Sequence, residues 1–372
     1  MNRMLLLCFG LFFSLGLIGC GEPPPEPPPK DVLFNTDSQR LFAQLRETTN
    51  KWLEEPWGRE GDGFTYAVDV GHLLVYAVLR KDKALYSRMR DFAVNKLIVN
   101  DPKVPYTKGF VLWRYKEGVP PDASGTTEAL RVAEGLWLGA QEWGNEEDRQ
   151  WAIDILKGYF RHEYVDQGIW MIRNYFNLGT NSFATNTFLV DYDPDFVFEV
   201  AEKTKDEELR KGAEKCLDLV KNAVAPSGLI YPILQPEVLT LLPRSLAFFA
   251  PNDIVKMLNS LTVVERVIVK APELSKKVLD FSLERLDGLN QYYYASSGEK
   301  AIDGAAGAVT YAAILRLAAR MGDLEGAKKA ETKMLPHLDY FLKNPYNPRL
   351  YVAGEILLAY QYLQMLAESK KP

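Results

Sequence analysis

Asp69, Asp122, Glu128 and Asp193 are the acidic residues best placed along this chain for acid–base chemistry, with Asp303 as a further acidic contact. One protonated carboxyl can donate to a leaving oxygen while an ionised one activates water, provided their environments differ. Asp69 lies inside the apolar run 66–79, where an unpaired carboxylate is costly. Asp122 and Glu128 open the stretch 120–144, in which Ala129, Leu130, Val132, Ala133, Leu136, Trp137 and Leu138 leave few polar positions. A helix apolar on most sides is a buried one, so acids at its start either cap it or face a pocket. Ser124, Thr126 and Thr127 offer rival capping hydroxyls there. Asp193 precedes Pro194 and reads as an N-cap with proline at the first helical position. Capping is the plainer role for Asp122, Glu128, Asp193 and Asp303 taken singly. Asp69 has no such explanation.

Other chemistries are thinly supplied. The 3 histidines, His72, His162 and His337, are far apart, and His72 reads as a buried histidine. Cys8 and Cys20 sit near the N-terminus, which leaves Cys216 alone and no intrachain disulfide in a mature domain. A zinc site or a Cys–His nucleophile is not expected, nor is any metal or cofactor. The formal charge is −5, with acids and bases mixed and no basic stripe, so nucleic acid is not an expected partner.

Helices must position these groups. Runs apolar nearly all round (66–79, 126–141, 194–201, 303–321, 349–366) alternate with one-faced amphipathic runs (37–54, 83–99, 145–164, 206–224, 323–343). Further helices are expected near 252–270 and 272–286, and a short strand over 168–175. Buried helices alternating with half-wet ones suit two concentric rings. No fixed repeat period marks a solenoid. The expected fold is all-α: an (α/α)6 toroid of six helical hairpins with short β segments in its loops, one domain over 36–369.

At the N-terminus, Arg3 precedes an apolar run over 4–17, too short for a comfortable membrane span, that ends Leu17-Ile18-Gly19-Cys20. This closely resembles a bacterial lipoprotein signal. The resemblance implies removal of 1–19, lipidation of Cys20 and a membrane attachment through that lipid. Residues 20–35 become a linker, in which GEPPPEPPPK favours extended polyproline II. The implied location is the cell envelope, extracytoplasmic, at the outer membrane in a Gram-negative source.

With the helix starts placed, the chain resembles the six-hairpin glycosidases, most closely glycoside hydrolase family eight. Asp69-Val70-Gly71-His72-Leu73-Leu74-Val75 is similar to the family's Glu-Gly-x-x-Tyr-Gly-Met helix start, which carries the general acid. The match needs Asp for Glu and a one-residue shift; Glu60-Gly61-Asp62 is a rival with poorer spacing. Asp122-Ala123-Ser124-Gly125-Thr126-Thr127-Glu128 occupies the place of Ala-Thr-Asp-Ala-Asp, whose Asp contacts the sugar at the cleavage point. Tyr192-Asp193-Pro194-Asp195-Phe196 resembles the Tyr-x-x-Pro start of the third inner helix. The family's second carboxylate has no clear equivalent, Asp253 and Asp303 being the candidates.

The resemblance implies hydrolysis of a polysaccharide, such as an envelope exopolysaccharide, by a monomeric enzyme. Glu128 or Asp69 would be the acid, and Asp122, Asp193 or Asp303 the base or a sugar contact. An inverting pair would stand ~6.5–9.5 Å apart. Sugar rings stack on aromatic faces, so Trp113, Tyr115, Trp170, Tyr192 and Tyr293, joined by Arg131, are the expected sugar contacts. The degenerate first motif also fits a non-catalytic polysaccharide-binding or assembly lipoprotein. A lyase or epimerase on the same scaffold is a third reading.

Overall fold

In a computed structural model, residues 36–54, 60–166, 169–236 and 246–370 are described. The expected signal, Cys20 and the proline-rich linker lie outside the described residues. Among the described residues twelve α-helices follow in chain order: α1 (Thr36–Glu54), α2 (Ala67–Arg80), α3 (Lys83–Phe92), α4 (Thr126–Trp143), α5 (Glu146–Phe160), α6 (Pro194–Thr204), α7 (Glu207–Asn222), α8 (Met257–Glu265), α9 (Pro272–Glu284), α10 (Ala308–Arg320), α11 (Leu324–Lys343) and α12 (Arg349–Ser369). Even-numbered helices form the inner ring and odd-numbered ones the outer. The apolar patterning explains the sorting. In α7 the buried side chains Leu209, Ala213, Cys216 and Val220 recur at helical spacing on one face, whereas α2 buries nearly every residue. No helix among the described residues is long and apolar enough to cross a membrane.

Within the inner ring, α2 packs on α4 and on α12, and α10 packs on α8 and on α12. Gly71 and Gly135 let α2 and α4 approach closely: a Cβ on Gly71 would stand 3.0 Å from the Arg131 backbone carbonyl carbon. Between α4 and α8 the ring is completed by the 3-10 turn Leu189–Asp191, which touches both, because α6 begins late. Inner helices pass to outer ones through tight turns. After α2, Lys81 takes the left-handed conformation and Asp82 then caps α3, accepting from the Leu85 N–H at 2.9 Å. The long connections run from outer helix to inner helix, and so collect at the end where the inner helices begin. That end is the mouth of the toroid.

Several boundaries differ from the pattern in the sequence. The run expected as helix from 303 is strand over Lys300–Ala305, and α10 starts only at Ala308. The expected 252–270 helix is strand over Ile254–Lys256 followed by the nine-residue α8. These strands form a three-stranded antiparallel sheet with Asn290–Tyr294, and pairing to a neighbour overrides helical periodicity there. The helix expected to reach Val99 turns π-helical over Ala93–Leu97, and the one expected to reach Tyr164 ends at Phe160 before strand Glu163–Asp166.

Candidate active site

Two small ladders tie inner-helix starts to the mouth loops. Strand Thr65–Tyr66 runs straight into α2 and pairs with Arg114–Tyr115, Tyr66 facing Arg114. Strand Ala123–Gly125 runs into α4 and pairs with Tyr175–Asn177, Gly125 facing Tyr175. Two recesses result. One, of about 410 Å³, is lined by Glu60, Asp62, Tyr66, Asp69, Asn347 and Tyr351 among others. The second, of about 420 Å³, is lined by Trp113, Asp122, Glu128, Asn174, Tyr175 and Asn177 among others. The rings of Tyr66 and Trp113 meet edge-on with centroids 5.7 Å apart, so the recesses share a wall.

Four of the five acids along this cleft fall into two kinds. Asp69, in the first turn of α2, is 1% exposed, and neither carboxyl oxygen has a hydrogen-bond partner. Burial, then the negative charges of Glu60, Glu128 and Glu355, push its pKa well above the ordinary value and hold the proton on. Glu128, in the first turn of α4, is raised to about 7 by burial and by Asp191, against the pull of its own N–H and of Arg266. Asp122 and Asp62 are exposed and ionised. Asp122 accepts from Trp113 Nε1 at 2.7 Å, Arg114 at 2.8 Å and the Ala123 N–H at 2.9 Å. Partial burial works upward on it, but Arg114 and Trp113 together hold it below the ordinary range. Asp62 accepts from Tyr66 Oη at 2.5 Å and the Phe64 N–H at 3.0 Å, and these outweigh its own partial burial. Each recess thus pairs a carboxyl raised by burial, Asp69 or Glu128, with an ionised one, Asp62 or Asp122.

Glu60 has a different task. Its carboxylate accepts from the Arg349 N–H at 3.0 Å and the Leu350 N–H at 2.7 Å, capping α12.

Other residues expected at the site lie elsewhere. Asp193 caps α6, accepting from the Phe196 N–H at 3.2 Å, and stands 3.7 Å from Arg266. It lines a separate recess of about 270 Å³ with Arg131, whose guanidinium binds Glu134 at 2.6 Å. Burial lifts Asp193 to about 7, with Arg266 opposing. Tyr192 and Tyr293 are buried rather than presented to ligand. The Tyr192 hydroxyl accepts from the Ile172 N–H at 3.1 Å, and that of Tyr293 accepts from the Asn290 N–H at 2.9 Å. Strand alternation turns Tyr293 inward, while Tyr294 stays outside. Asp303 is exposed on its strand, and Asp253 accepts from the Ser296 N–H at 3.1 Å. Trp170 lies on a hairpin, its indole donating to Glu163 with Lys215 over its ring. Tyr115 packs edge-on against Phe92. Of the expected aromatics, Trp113 lines the cleft.

Asp62, Tyr66, Tyr175, Asn347 and Tyr351 line it too, without having been singled out for it. Only the rival motif at Glu60-Gly61-Asp62 hinted at any of them. Asp191 was also missed. It is fully buried behind α4, accepts from Thr127 Oγ1, and is raised to about 6 by its burial despite that hydrogen bond and those from Phe188 and Thr187.

Beneath the cleft the toroid's axis is charged. His72 Nε2 lies 3.3 Å from Glu355, Glu355 binds Arg316 at 2.5 Å, and Arg316 binds Glu265 at 2.7 Å. Burial drives His72 down to about 3, so it is a neutral hydrogen-bond donor to Glu355. Among the described residues no group of three or more His, Cys, Asp or Glu is arranged to hold a metal ion.

No family model matches the chain, and no curated protein matches it by sequence. Solved structures do. An α-amylase from Clostridium perfringens superposes with a TM-score of 0.65 at 19% identity, over 80% of this chain and 86% of the other. A β-1,3-1,4-glucanase from Paenibacillus sp. X4 gives 0.65 at 14% identity, over 91% and 94%. A family-eight xylanase from Teredinibacter turnerae, a catalytic mutant in complex with xylohexaose, gives 0.56 at 16% identity, over 82% and 83%. The chain has the fold of the six-hairpin glycosidases. The identities are low enough that the fold alone carries across.

Proposed function

We propose that this protein hydrolyses glycosidic bonds of a polysaccharide, with Asp69 as general acid and Asp122 as general base. Asp69 carries this reading: a carboxyl at the mouth of a glycosidase-type toroid, held protonated and bound to nothing. Its proton passes to the glycosidic oxygen as the carbon–oxygen bond breaks. Asp122, ionised and open to solvent, takes a proton from the water that attacks the anomeric carbon. Glu128 lines the same recess as Asp122 and Trp113 and is a further contact for the sugar. The similar structures include an α-amylase, a β-1,3-1,4-glucanase and a xylanase in complex with xylohexaose.

The test is release of reducing ends from a panel of neutral, amino and acidic polysaccharides. Asp69→Asn should abolish release while the circular-dichroism spectrum and melting temperature stay near wild type; full turnover in that variant would end the assignment. A second reading is a binding protein that retains the toroid without turnover. It is favoured by Asp122, whose three hydrogen bonds blunt it as a base. Polymer binding without new reducing ends would select it. Tethering at Cys20 belongs to the same proposal, resting on the signal-like N-terminus. Cys20→Ala should then move the protein from the detergent phase to the aqueous phase on partitioning.

A further inference from the structure

At the end of the toroid opposite the mouth, where α8 and α10 finish, lies the recess of about 270 Å³ that Asp193 and Arg131 line. It opens where α6, which begins late and packs chiefly on α7, leaves the inner ring thin between α4 and α8. Arg131 reaches it from α4 and Arg266 from just beyond α8, and the two are 6% and 4% exposed. The Nε of each has no hydrogen-bond partner. Arg131 donates through Nη1 to Glu134 at 2.6 Å. Arg266 donates through Nη1 to the Val190 carbonyl, and its Nε stands 3.7 Å from Asp193, too far for a hydrogen bond. Two buried guanidiniums on one recess, each with an N–H unanswered, cost stability until an acceptor fills the space. Burial, then the charge of Arg131, holds Arg266 below its ordinary range, so negative charge beside it is favoured.

The other charges around the recess limit what that acceptor can be. Lys270 binds Glu202 at 3.1 Å, and Arg320 binds Glu265 at 3.0 Å. Lys203 binds Glu199 at 2.9 Å, and Asp195 accepts from the Val269 and Lys270 N–H groups at 2.7 and 3.0 Å. Each acid therefore has its own donor, and the local charge is nearly balanced. A doubly charged anion would be repelled by these carboxylates, whereas a single negative charge is matched by the two guanidiniums. We propose that this recess binds one carboxylate group, received by Arg131 and Arg266. A guanidinium meets a carboxylate through paired N–H donors and gives up its water more readily than an ammonium does. Bound there, the group ties α4 to the segment after α8 across the thin part of the ring. A small free acid and an acidic sugar present the same chemistry. The site stands apart from the cleft and is independent of what is cleaved there.

The experiment is calorimetric titration of the full-length protein with acetate, glucuronate and phosphate at pH 8 and constant ionic strength. Acetate or glucuronate should saturate one site per chain with a Kd below ~10 mM, the tighter of the two naming the source, and phosphate should bind at least about tenfold more weakly. Arg131→Lys and Arg266→Lys keep the charges that Glu134 and Asp193 face but remove Nε, and each should weaken the carboxylate about tenfold, the scale of one charge-assisted hydrogen bond. Val269→Trp, on a rim residue 56% exposed, should fill the recess and abolish binding with every charge in place, which keeps the test open if an arginine variant fails to fold. Asp193→Asn preserves the cap on α6 and removes a negative charge, so it should tighten carboxylate binding at pH 8. No saturable binding of either carboxylate, or phosphate bound as tightly as they are, overturns the proposal. So does carboxylate binding left unaltered by both Val269→Trp and Arg266→Lys, which would place the ligand elsewhere.

Discussion

The Glu128 carboxylate folds back over Gly125, the N-cap of α4, so closely that a methyl group on Gly125 would overlap its Oε2 oxygen. Gly125 has ordinary extended backbone angles, φ −120° and ψ 147°, so any residue could adopt its conformation. What excludes a side chain is the acid itself. Gly125→Ala should therefore leave the helix intact and swing Glu128 out of place. The expected result is a loss of turnover of about tenfold or more with a melting temperature shifted by only a few degrees. Unchanged turnover would mean that Glu128's position is immaterial to the reaction.

Glu128 and His72 bend the stability profile in opposite directions. The folded pKa of Glu128, about 7, lies above its ordinary 4.5, so the folded state holds this proton more tightly than the unfolded chain does. Its favourable contribution is complete below pH 4.5 and is lost as pH rises to 7. Glu128→Gln should remove that decline and melt above wild type at pH 8, by roughly 1–3 kcal/mol in unfolding free energy. His72, depressed from 6.5 to about 3, contributes stability above pH 6.5 that is lost as pH falls toward 3. Thermal melts of wild type and Glu128→Gln across pH 4–8 check the first sign. A variant less stable than wild type at pH 8 would contradict it.

The ring architecture was legible because burial leaves a periodic imprint. An inner helix such as α2 is covered on both sides and an outer one such as α7 on one, and apolar spacing reports that difference directly. Asp69 was legible for the same reason, a charge inside an apolar stripe. Tyr293 and Asp303 misled because their run is strand. Three consecutive tyrosines look alike in sequence, and only the pleat decides which turns inward. Asp193 misled because a cap and a catalytic acid share a preference for helix starts; its pairing with Arg266, 73 positions later in the chain, left no local mark. Asp62 and Tyr351 join one recess through the packing of α12 on α2, a contact between opposite ends of the chain that no window can display.

The capping of α12 by Glu60 makes a prediction that separates it from the acids it adjoins. Glu60→Ala strips two α12 N–H groups of their acceptor and should cost about 1–2 kcal/mol, the scale of a lost helix cap. It also removes a negative charge that helps keep the proton on Asp69. The basic limb of the pH–rate profile should therefore shift to lower pH in Glu60→Ala. A stability loss with an unmoved basic limb would limit Glu60 to its capping role.

Arg316 holds the charged axis together, and its loss should be the most damaging single change near the site. It is 1% exposed and bridges Glu265 on α8 to Glu355 on α12. Its charge, partly offset by their burial, keeps both glutamates below their ordinary pKa range. Arg316→Met would strip buried Glu355 of its guanidinium and leave Glu265 with Arg320 alone, at 3.0 Å, a defect that costs about 3–5 kcal/mol. The triple variant Arg316→Met, Glu265→Gln, Glu355→Gln removes the stranded charges and should regain much of that loss. Denaturant melts of the two variants measure the difference directly. The consequence reaches the cleft, because Glu355 lies one turn below Tyr351 on α12 and its charge is among those raising Asp69. In the triple variant, therefore, recovered stability should come with a basic limb of the pH–rate profile moved to lower pH. Recovery of stability with an unaltered pH profile would show that the axis braces the toroid without tuning its acid.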